Sequence, residues 1–287
     1  MTSRELQRII ESVPTSDGAG VKLRRSLGSV RGLYLDPFLM LDEFSSDDAA
    51  DYVAGFPAHP HRGFETVTYM LDGHMRHEDH LGNRGELTSG GVQWMTAGRG
   101  IIHSEMPQQE RGRMRGFQLW INLPRREKMK PAKYRDIPAQ DIPVVELEGG
   151  GRVKVIAGSI TADGRTTAGP IQRLTTDPIY LDVELPAGAT FRHAVPSDYT
   201  AFLYVFEGAI DVGPQGRALP LHRAGVTSAG EEILLRGGKE RGRALLIAGR
   251  PLAEPIVQYG PFVMTTREEV EQAVRDYQSG TLTEPAR

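Results

Sequence analysis

Glycine and proline interrupt this chain at short intervals and divide it into brief apolar stretches. The 33 glycines and 19 prolines form small clusters between runs such as 66–70, 93–96 and 117–123. Those runs are rich in residues that favour extended strands. Short strands joined by tight turns leave this pattern, so the sequence predicts an all-β fold.

The strand-like pattern occurs twice, on either side of a basic segment. Residues 125–135 contain six lysines and arginines around a proline, and such a break in composition suggests a linker. Beyond it, runs such as 179–185 and 201–206 again alternate with glycine and proline. We therefore expect two β domains, residues 1–135 and residues 136–287.

The last segment of the chain departs from this pattern. Thr266 and Glu269 have the spacing of a capping box, which marks the start of a helix. Apolar residues then recur at helical spacing, at Val270, Ala273, Val274 and Tyr277. We expect one short amphipathic α-helix there, ending before Gly280.

Charge and cysteine content exclude several classes of function. The 34 basic residues nearly balance 37 acidic ones, and a net charge of −3 gives no broad field for nucleic acid or anionic membrane. Without cysteine, any metal must be held by nitrogen and oxygen.

Residues 1–12 lack the apolar core of a signal peptide, and the longest apolar run, 201–206, is far shorter than the roughly 20 residues of a membrane span. We expect a cytoplasmic protein that binds neither membrane nor nucleic acid directly.

Two pairs of polar residues carry the candidate chemistry. His59 and His61 are two residues apart in a strand-like segment, so both imidazoles project to one side. His103 and Glu105 repeat this spacing further along the chain. If the pairs converge, three nitrogens and one carboxylate surround a single ion.

That ligand set suits Fe, Mn, Ni, Cu or Zn, whereas oxygen ligands alone would indicate Mg or Ca. Iron is the first choice. Four protein ligands on an ion that prefers six leave about two positions for dioxygen, water or substrate, as an oxygenase requires. A histidine is by itself more often a packed or surface residue than a ligand, so the prediction depends on both pairs.

The other histidines are less suggestive. His193 and His222 are isolated, and Val195 stands where a second imidazole would complete another pair, so we expect the second domain to hold no metal. An exposed hairpin is expected at three histidines in a charged segment bounded by glycines, His74, His77 and His80.

Residues 56–69 and 93–107, which contain the two pairs, resemble the pirin family of the cupin superfamily. Weaker similarity extends to the terminal residues 276–278, so nearly the whole chain is covered. The resemblance implies two tandem cupin β-barrels of the jelly-roll type with a short carboxy-terminal α-helix. It also implies that the first barrel holds one divalent transition metal, Fe(II) above all.

The metal ligands implied by the resemblance are His59, His61, His103 and Glu105. Cupins in general often use a Glu shortly after the His pair, and Glu65 occupies such a place. Since pirins give this role to the Glu of the second pair, we expect Glu65 only to support the ligands from nearby.

Several pirins resemble flavonol dioxygenases, and the leading hypothesis is therefore an enzyme of the quercetin 2,3-dioxygenase type. It would open the central ring of a flavonol such as quercetin with dioxygen and release carbon monoxide. Glu105 would be the catalytic group, either remaining a ligand or briefly accepting the substrate's proton.

The alternative is a non-enzymatic, redox-responsive iron protein that docks on a transcription factor or a metabolic enzyme. Residues 125–135 could form the docking surface for such a protein partner, although a solvated linker is the simpler interpretation of a charge run.

Overall fold

The computed structural model describes residues 2–30 and 32–284. The chain divides into two compact units, each made of three segments. The amino-terminal barrel comprises Pro14–Tyr34, Phe38–Ala139 and Leu252–Arg287. The carboxy-terminal barrel comprises Met1–Val13, Leu35–Pro37 and Gln140–Pro251.

Within the described residues the chain forms 26 strands and one α-helix, besides three short 3₁₀ turns. In chain order they are β1 (Leu6–Glu11), β2 (Val13–Asp17), β3 (Val21–Arg25), β4 (Phe38–Ser46), β5 (Phe56–His61), β6 (Phe64–Asp72), β7 (His74–Asp79), β8 (Arg84–Thr88), β9 (Val92–Thr96), β10 (Ile101–Pro107), β11 (Met114–Asn122), β12 (Lys133–Ile137), β13 (Val144–Glu146), β14 (Arg152–Ala157), β15 (Ser159–Ala162), β16 (Arg165–Ala168), β17 (Ile179–Leu185), β18 (Thr190–Ala194), β19 (Thr200–Glu207), β20 (Ala209–Val212), β21 (Arg217–Pro220), β22 (Arg223–Thr227), β23 (Glu232–Gly237), β24 (Gly242–Gly249), β25 (Val257–Tyr259), β26 (Phe262–Met264) and α1 (Arg267–Gln278).

Two antiparallel sheets form the amino-terminal barrel. The larger has the order β12-β9-β6-β11-β4-β3-β2, and the smaller has the order β5-β10-β7-β8. Leu23, Phe44 and Met70 from the larger sheet pack with Met75 and Leu87 from the smaller one. Apolar residues therefore fill one part of the interior, and the remainder contains polar side chains.

The carboxy-terminal barrel repeats this architecture with orders β1-β22-β19-β24-β17-β14-β13 and β18-β23-β20-β21. Its interior is apolar, with Leu181, Leu203 and Leu246 from the larger sheet packed with Phe191 and Ile233 from the smaller one. The two sheets bury their inward faces against each other, as expected for a sandwich-like barrel. The predicted all-β fold of two tandem barrels is confirmed.

The two barrels interleave along the chain, which differs from the expected division at residue 135. β1 pairs with β22 of the carboxy-terminal barrel, whereas the tail from Leu252 belongs to the amino-terminal barrel. β12 pairs with β9, so a boundary at 135 would cut a strand. Local composition marks a break in the pattern, but long-range pairing decides which sheet a terminal strand joins.

The basic segment 125–135 is part of the barrel and not a solvated linker. Lys128 within it is buried, and its Nζ donates to the carbonyl oxygens of Gly63 and Val263 at 2.8 and 2.9 Å. Burial lowers the pKa of this lysine to about 7. The side chain thus ties the amino-terminal barrel to the start of its carboxy-terminal tail.

The terminal helix confirms the capping-box prediction. The Thr266 hydroxyl accepts from the backbone N–H of Glu269, whose carboxylate accepts from the backbone N–H of Thr266. Val270 and Ala273 are its buried residues. Within the described ranges, no helix combines the length and apolar character that crossing a membrane would require.

Arg62 fixes this helix to the amino-terminal barrel. Its guanidinium is buried, lies 2.6 Å from Asp276 of α1 and donates to the carbonyl oxygen of Leu282 at 2.8 Å. Nε of Arg62 also donates to the carbonyl oxygen of Arg99. Because the charge is surrounded by protein, its partners matter more than those of a surface ion pair.

We expect Asp276→Asn to lower the free energy of unfolding by about 2 kcal/mol, because it leaves the buried Arg62 without its counter-ion. The matched control is Glu271→Gln on the same helix. Glu271 pairs with Arg267, and both are largely exposed, so the control should lose less than about 0.5 kcal/mol. Urea denaturation measures both values, and equal midpoints for the two variants would contradict the prediction.

Candidate metal centre

A sharp turn at Gly63 positions the first histidine pair. β5 ends at His61, and the chain then crosses from the smaller to the larger sheet, where β6 begins at Phe64. Gly63 has φ of +92°, and a Cβ there would lie 2.0 Å from the carbonyl oxygen of Val263. A side chain does not fit at this position, so glycine is required for the turn that follows the histidines.

The second pair comes from β10, which lies beside β5. His103 is directly opposite His59 in this antiparallel pairing. Its ring centroid is 4.4 Å from that of His59 and 5.0 Å from that of His61. One ligand nitrogen from each of the three imidazoles lies within 4.8 Å of the others, so the structure brings the three predicted histidines together.

The nitrogens of this group are suitable metal ligands. Nδ1 of His59 lies 2.8 Å from the carbonyl oxygen of Pro57, which places the proton on Nδ1 and the lone pair on Nε2. Burial lowers the pKa of His61 and of His103 well below the usual range, and the neighbouring imidazoles add to this effect. Both rings are therefore neutral at pH 7, which is the form that binds metals.

The spacing of the nitrogens also fits one ion. Nε2 of His59 and Nε2 of His61 are 3.0 Å apart, and two nitrogens bound at right angles to an ion at about 2.1 Å are also about 3.0 Å apart. Nε2 of His103 is buried and has no hydrogen-bond partner within the described structure. A divalent transition metal would use this nitrogen, and the three residues fit such an ion.

Glu105 is buried in the same interior but lies outside the three-histidine group. The pairing of β10 with β5 shifts between His103 and Glu105. Oε1 of Glu105 accepts a hydrogen bond from the Thr68 hydroxyl at 3.0 Å, and the side-chain amide of Gln118 lies 2.5 Å from that hydroxyl. Whether this carboxylate is a fourth ligand stays a prediction.

A cavity of about 860 Å³ in the amino-terminal barrel reaches His59, His61 and Glu105. Several aromatic side chains line it, among them Phe44, Phe56 and Trp120. The Trp120 ring lies nearly perpendicular to that of His61, with centroids 5.3 Å apart. Flat apolar surfaces of this kind bind aromatic molecules.

Arg25 also lines the cavity and forms ion pairs with two lining carboxylates, Asp17 and Asp42. Arg25 donates from Nε and Nη2 to the two carboxylate oxygens of Asp42, at 2.8 and 2.7 Å. Burial raises the pKa of Asp42 to about 6, although the guanidinium opposes this shift. The cavity thus combines an aromatic wall with a few fixed polar groups, as small-molecule sites commonly do.

Glu65 does not support the metal ligands as expected. Its carboxylate accepts from Trp94 Nε1 at 3.1 Å and from the Thr96 hydroxyl at 2.7 Å. Side chains alternate along β6, and Thr68 faces Glu105, so Glu65 projects from the opposite face of the sheet. The expectation followed the cupin pattern of a Glu shortly after the His pair, but the turn at Gly63 ends β5 and the chain enters the other sheet before Glu65.

The prediction of an exposed hairpin was wrong for His77. This residue is only 2% exposed, and its Nδ1 lies 3.2 Å from Nδ1 of His103. His74 and His80 are more exposed, and His74 bonds to Glu86 at 2.7 Å. The alternation of residues in β7, with apolar Met75 two positions before His77, was the signal for an inward imidazole.

The carboxy-terminal barrel has a different interior at the corresponding strands. β18 and β23 occupy the sheet positions that β5 and β10 have in the other barrel. His193 of β18 stacks on Phe191 with centroids 5.9 Å apart and lies opposite Ile233. Burial lowers the pKa of His193 to about 4. The absence of metal from this barrel stays a prediction.

Comparison with known proteins gives the family. The sequence matches Pirin over residues 20–121 and the Pirin C-terminal cupin domain over residues 180–283. A Pseudomonas aeruginosa protein named, provisionally, a quercetin 2,3-dioxygenase is 53% identical over 97% of this chain and 98% of its own length. A pirin-like protein of Caulobacter vibrioides is 50% identical over 98% of this chain and 99% of its own. The crystal structure of quercetin 2,3-dioxygenase from Acinetobacter baumannii has a TM-score of 0.87 at 33% identity and covers 98% of both chains. This chain therefore belongs to the pirin family.

Proposed function

We propose that this chain is a metal-dependent dioxygenase that opens the central ring of flavonols such as quercetin, consuming dioxygen and releasing carbon monoxide. The observation that carries the proposal is the group of three imidazoles at a cavity of about 860 Å³ with aromatic residues in its wall, together with the buried carboxylate of Glu105. Cavities that hold molecules of this size span about 300–1,000 Å³. The names of the Pseudomonas and Acinetobacter relatives support the same reaction.

We propose His59, His61, His103 and Glu105 as the ligands and Fe(II) as the ion, although Mn, Ni, Cu or Zn suits the same donors. When bound, a redox-active ion supplies Lewis acidity toward the flavonol oxygens and the electron exchange that dioxygen requires. The imidazoles orient this chemistry toward the cavity because His59 and His61 line it.

The carboxylate of Glu105 is positioned to take part in proton transfer from the substrate. Thr68 holds Oε1 in place, so Oε2 is the oxygen that either remains a ligand of the ion or briefly accepts the proton of the flavonol hydroxyl. Phe44 and Trp120 provide surfaces against which the flat rings stack, and they exclude water from the reacting bond.

The ligand set is tested by metal content. We expect His59→Ala and Glu105→Ala each to weaken metal binding roughly tenfold or more, because each removes a donor atom. His80→Ala is the matched control, since His80 is exposed, and it should bind as the wild type does. Elemental analysis after anaerobic dialysis against limiting Fe(II) gives the stoichiometry. Full occupancy in both ligand variants would refute the proposed set.

The reaction is tested with the substrate itself. Iron-loaded protein mixed with quercetin in air should bleach the visible absorbance of the flavonol and release carbon monoxide in equal amount. Glu105→Gln should slow this reaction by about 10²–10⁴-fold, since the amide cannot accept the proton. Failure of the wild type with Fe, Mn, Ni, Cu and Zn in turn would favour the non-enzymatic regulator.

The contribution of Thr68 can be measured separately. We expect Thr68→Val to lower kcat about tenfold while KM changes less than twofold, because the variant keeps the shape of the cavity but frees Oε1 of Glu105. Thr66→Val is a matched control on the same face of β6. Steady-state kinetics on proteins of equal iron content would contradict the prediction if both variants behaved alike.

A further inference from the structure

A fourth imidazole, that of His77, contacts the proposed metal ligand His103. It lies on β7, beside β10, and its Nδ1 is 3.2 Å from Nδ1 of His103. The group whose nitrogens share a common centre contains His59, His61 and His103 but not this residue. His77 therefore contacts Nδ1 of His103, leaves Nε2 of that ring for the proposed ion, and lies outside the ligand group itself.

The contact between the two rings restricts where their protons lie. A neutral imidazole carries one proton, and a hydrogen bond between two Nδ1 atoms needs a proton on one of them. If His77 donated this bond, the proton of His103 would lie on its Nε2, which would then have no lone pair for a metal. If His103 donates the bond, its Nε2 is free to bind.

We propose that His77 is a positioning residue that accepts the hydrogen bond from Nδ1–H of His103 and so holds Nε2 of that ligand toward the ion. A partner on the outer nitrogen of a metal-binding histidine commonly fixes both its tautomer and its ring orientation. The proposal rests on the metal centre proposed above, but it does not depend on flavonol being the substrate.

The surroundings of His77 hold its ring in place. The side chain is 2% exposed and lies against Tyr134 with ring centroids 4.8 Å apart. Opposite it on β8 stands Gly85, where an added Cβ would lie 2.3 Å from a carboxylate oxygen of Asp136. The absence of a side chain at this position leaves room for that carboxylate near His77.

The number of buried nitrogens left without a partner also favours the tautomer of His103 that carries its proton on Nδ1. Nε2 of His77 and Nε2 of His103 are both buried without a hydrogen-bond partner in the described part of the chain. A bound ion satisfies the second of these atoms only when Nδ1 of His103 carries the proton. With the opposite tautomer, both nitrogens stay unsatisfied and the ion loses a ligand.

Two substitutions of His77 test the acceptor role. His77→Leu fills a similar volume but cannot accept a hydrogen bond, whereas His77→Gln retains an acceptor oxygen. With Zn²⁺ as a redox-inert probe in competition with a chelating dye, we expect the leucine variant to bind about 10–100-fold more weakly and the glutamine variant to stay within about threefold of the wild type. His74→Leu, on the same strand, is the control and should bind normally.

Equal Zn²⁺ affinity in wild type and His77→Leu would overturn the proposal, and so would equal losses in the leucine and glutamine variants. A second measurement needs no variant. Long-range ¹⁵N–¹H NMR spectra of the Zn²⁺-loaded wild-type protein should show the proton of His103 on Nδ1 and that of His77 on Nε2. A protonated Nδ1 on His77, or a metal-bound Nδ1 on His103, would also overturn it.

These results separate the proposal from the dioxygenase reaction. A protein that binds Zn²⁺ with the expected tautomers, but does not consume quercetin when loaded with iron, keeps the role of His77 and refutes the flavonol reaction alone. A wild-type protein that binds no Zn²⁺ overturns the metal centre and the role of His77 together.

Discussion

The amino-terminal barrel depends on the backbone at residues 62 and 63, where the chain leaves one sheet and enters the other. Gly63 donates to the carbonyl oxygen of Gly98, and Arg62 exchanges backbone hydrogen bonds with Pro261 and Val263 of the tail. The side chain of Arg62 forms an ion pair with Asp276 of α1, and Nζ of Lys128 donates a hydrogen bond to the carbonyl oxygen of Gly63. The residue just before this joint is His61, so the interactions that close the barrel also fix a proposed metal ligand.

The two barrels show how one architecture accommodates different interiors. In the carboxy-terminal barrel, Phe191 and Ile233 of the smaller sheet meet apolar residues of the larger one. In the amino-terminal barrel, the strands at the equivalent places carry His61 and His103. The apolar interior stabilises its barrel through burial alone, whereas the polar interior requires partners for each buried nitrogen and oxygen. The two interiors thus meet different requirements, one for apolar packing and the other for polar partners.

Local sequence pattern predicted those features that depend on one strand or one helix. The spacing of His59 and His61 placed both imidazoles in the site because alternation along a strand is purely local. The capping box at Thr266 likewise needed only neighbouring residues. The resemblance to pirins added His103 to the same ligand set, which spacing alone could only suggest, and the pairing of β5 with β10 shows how the strands bring it there.

The errors share one physical cause, since each required knowledge of contacts between distant segments. Glu65 was expected near the ligands because it follows the His pair closely, but the turn at Gly63 moves it to a strand of the other sheet. The boundary at 135 missed the pairing of β12 with β9. The charged residues around His77 gave no sign that its ring packs against Tyr134. In each case tertiary pairing overrode the local pattern.

The buried imidazoles connect the energetics of the fold to its proposed chemistry. His61, His77 and His103 are all buried, and burial lowers the pKa of each, so the folded barrel favours neutral rings with free lone pairs. Leaving such nitrogens without partners costs free energy. An ion that binds only the folded chain raises the free energy of unfolding by RT ln(1 + [L]/Kd), where [L] is the concentration of the free ion. The close and buried imidazoles therefore cost the fold free energy when they are unpaired, and the proposed metal ion would recover part of that free energy.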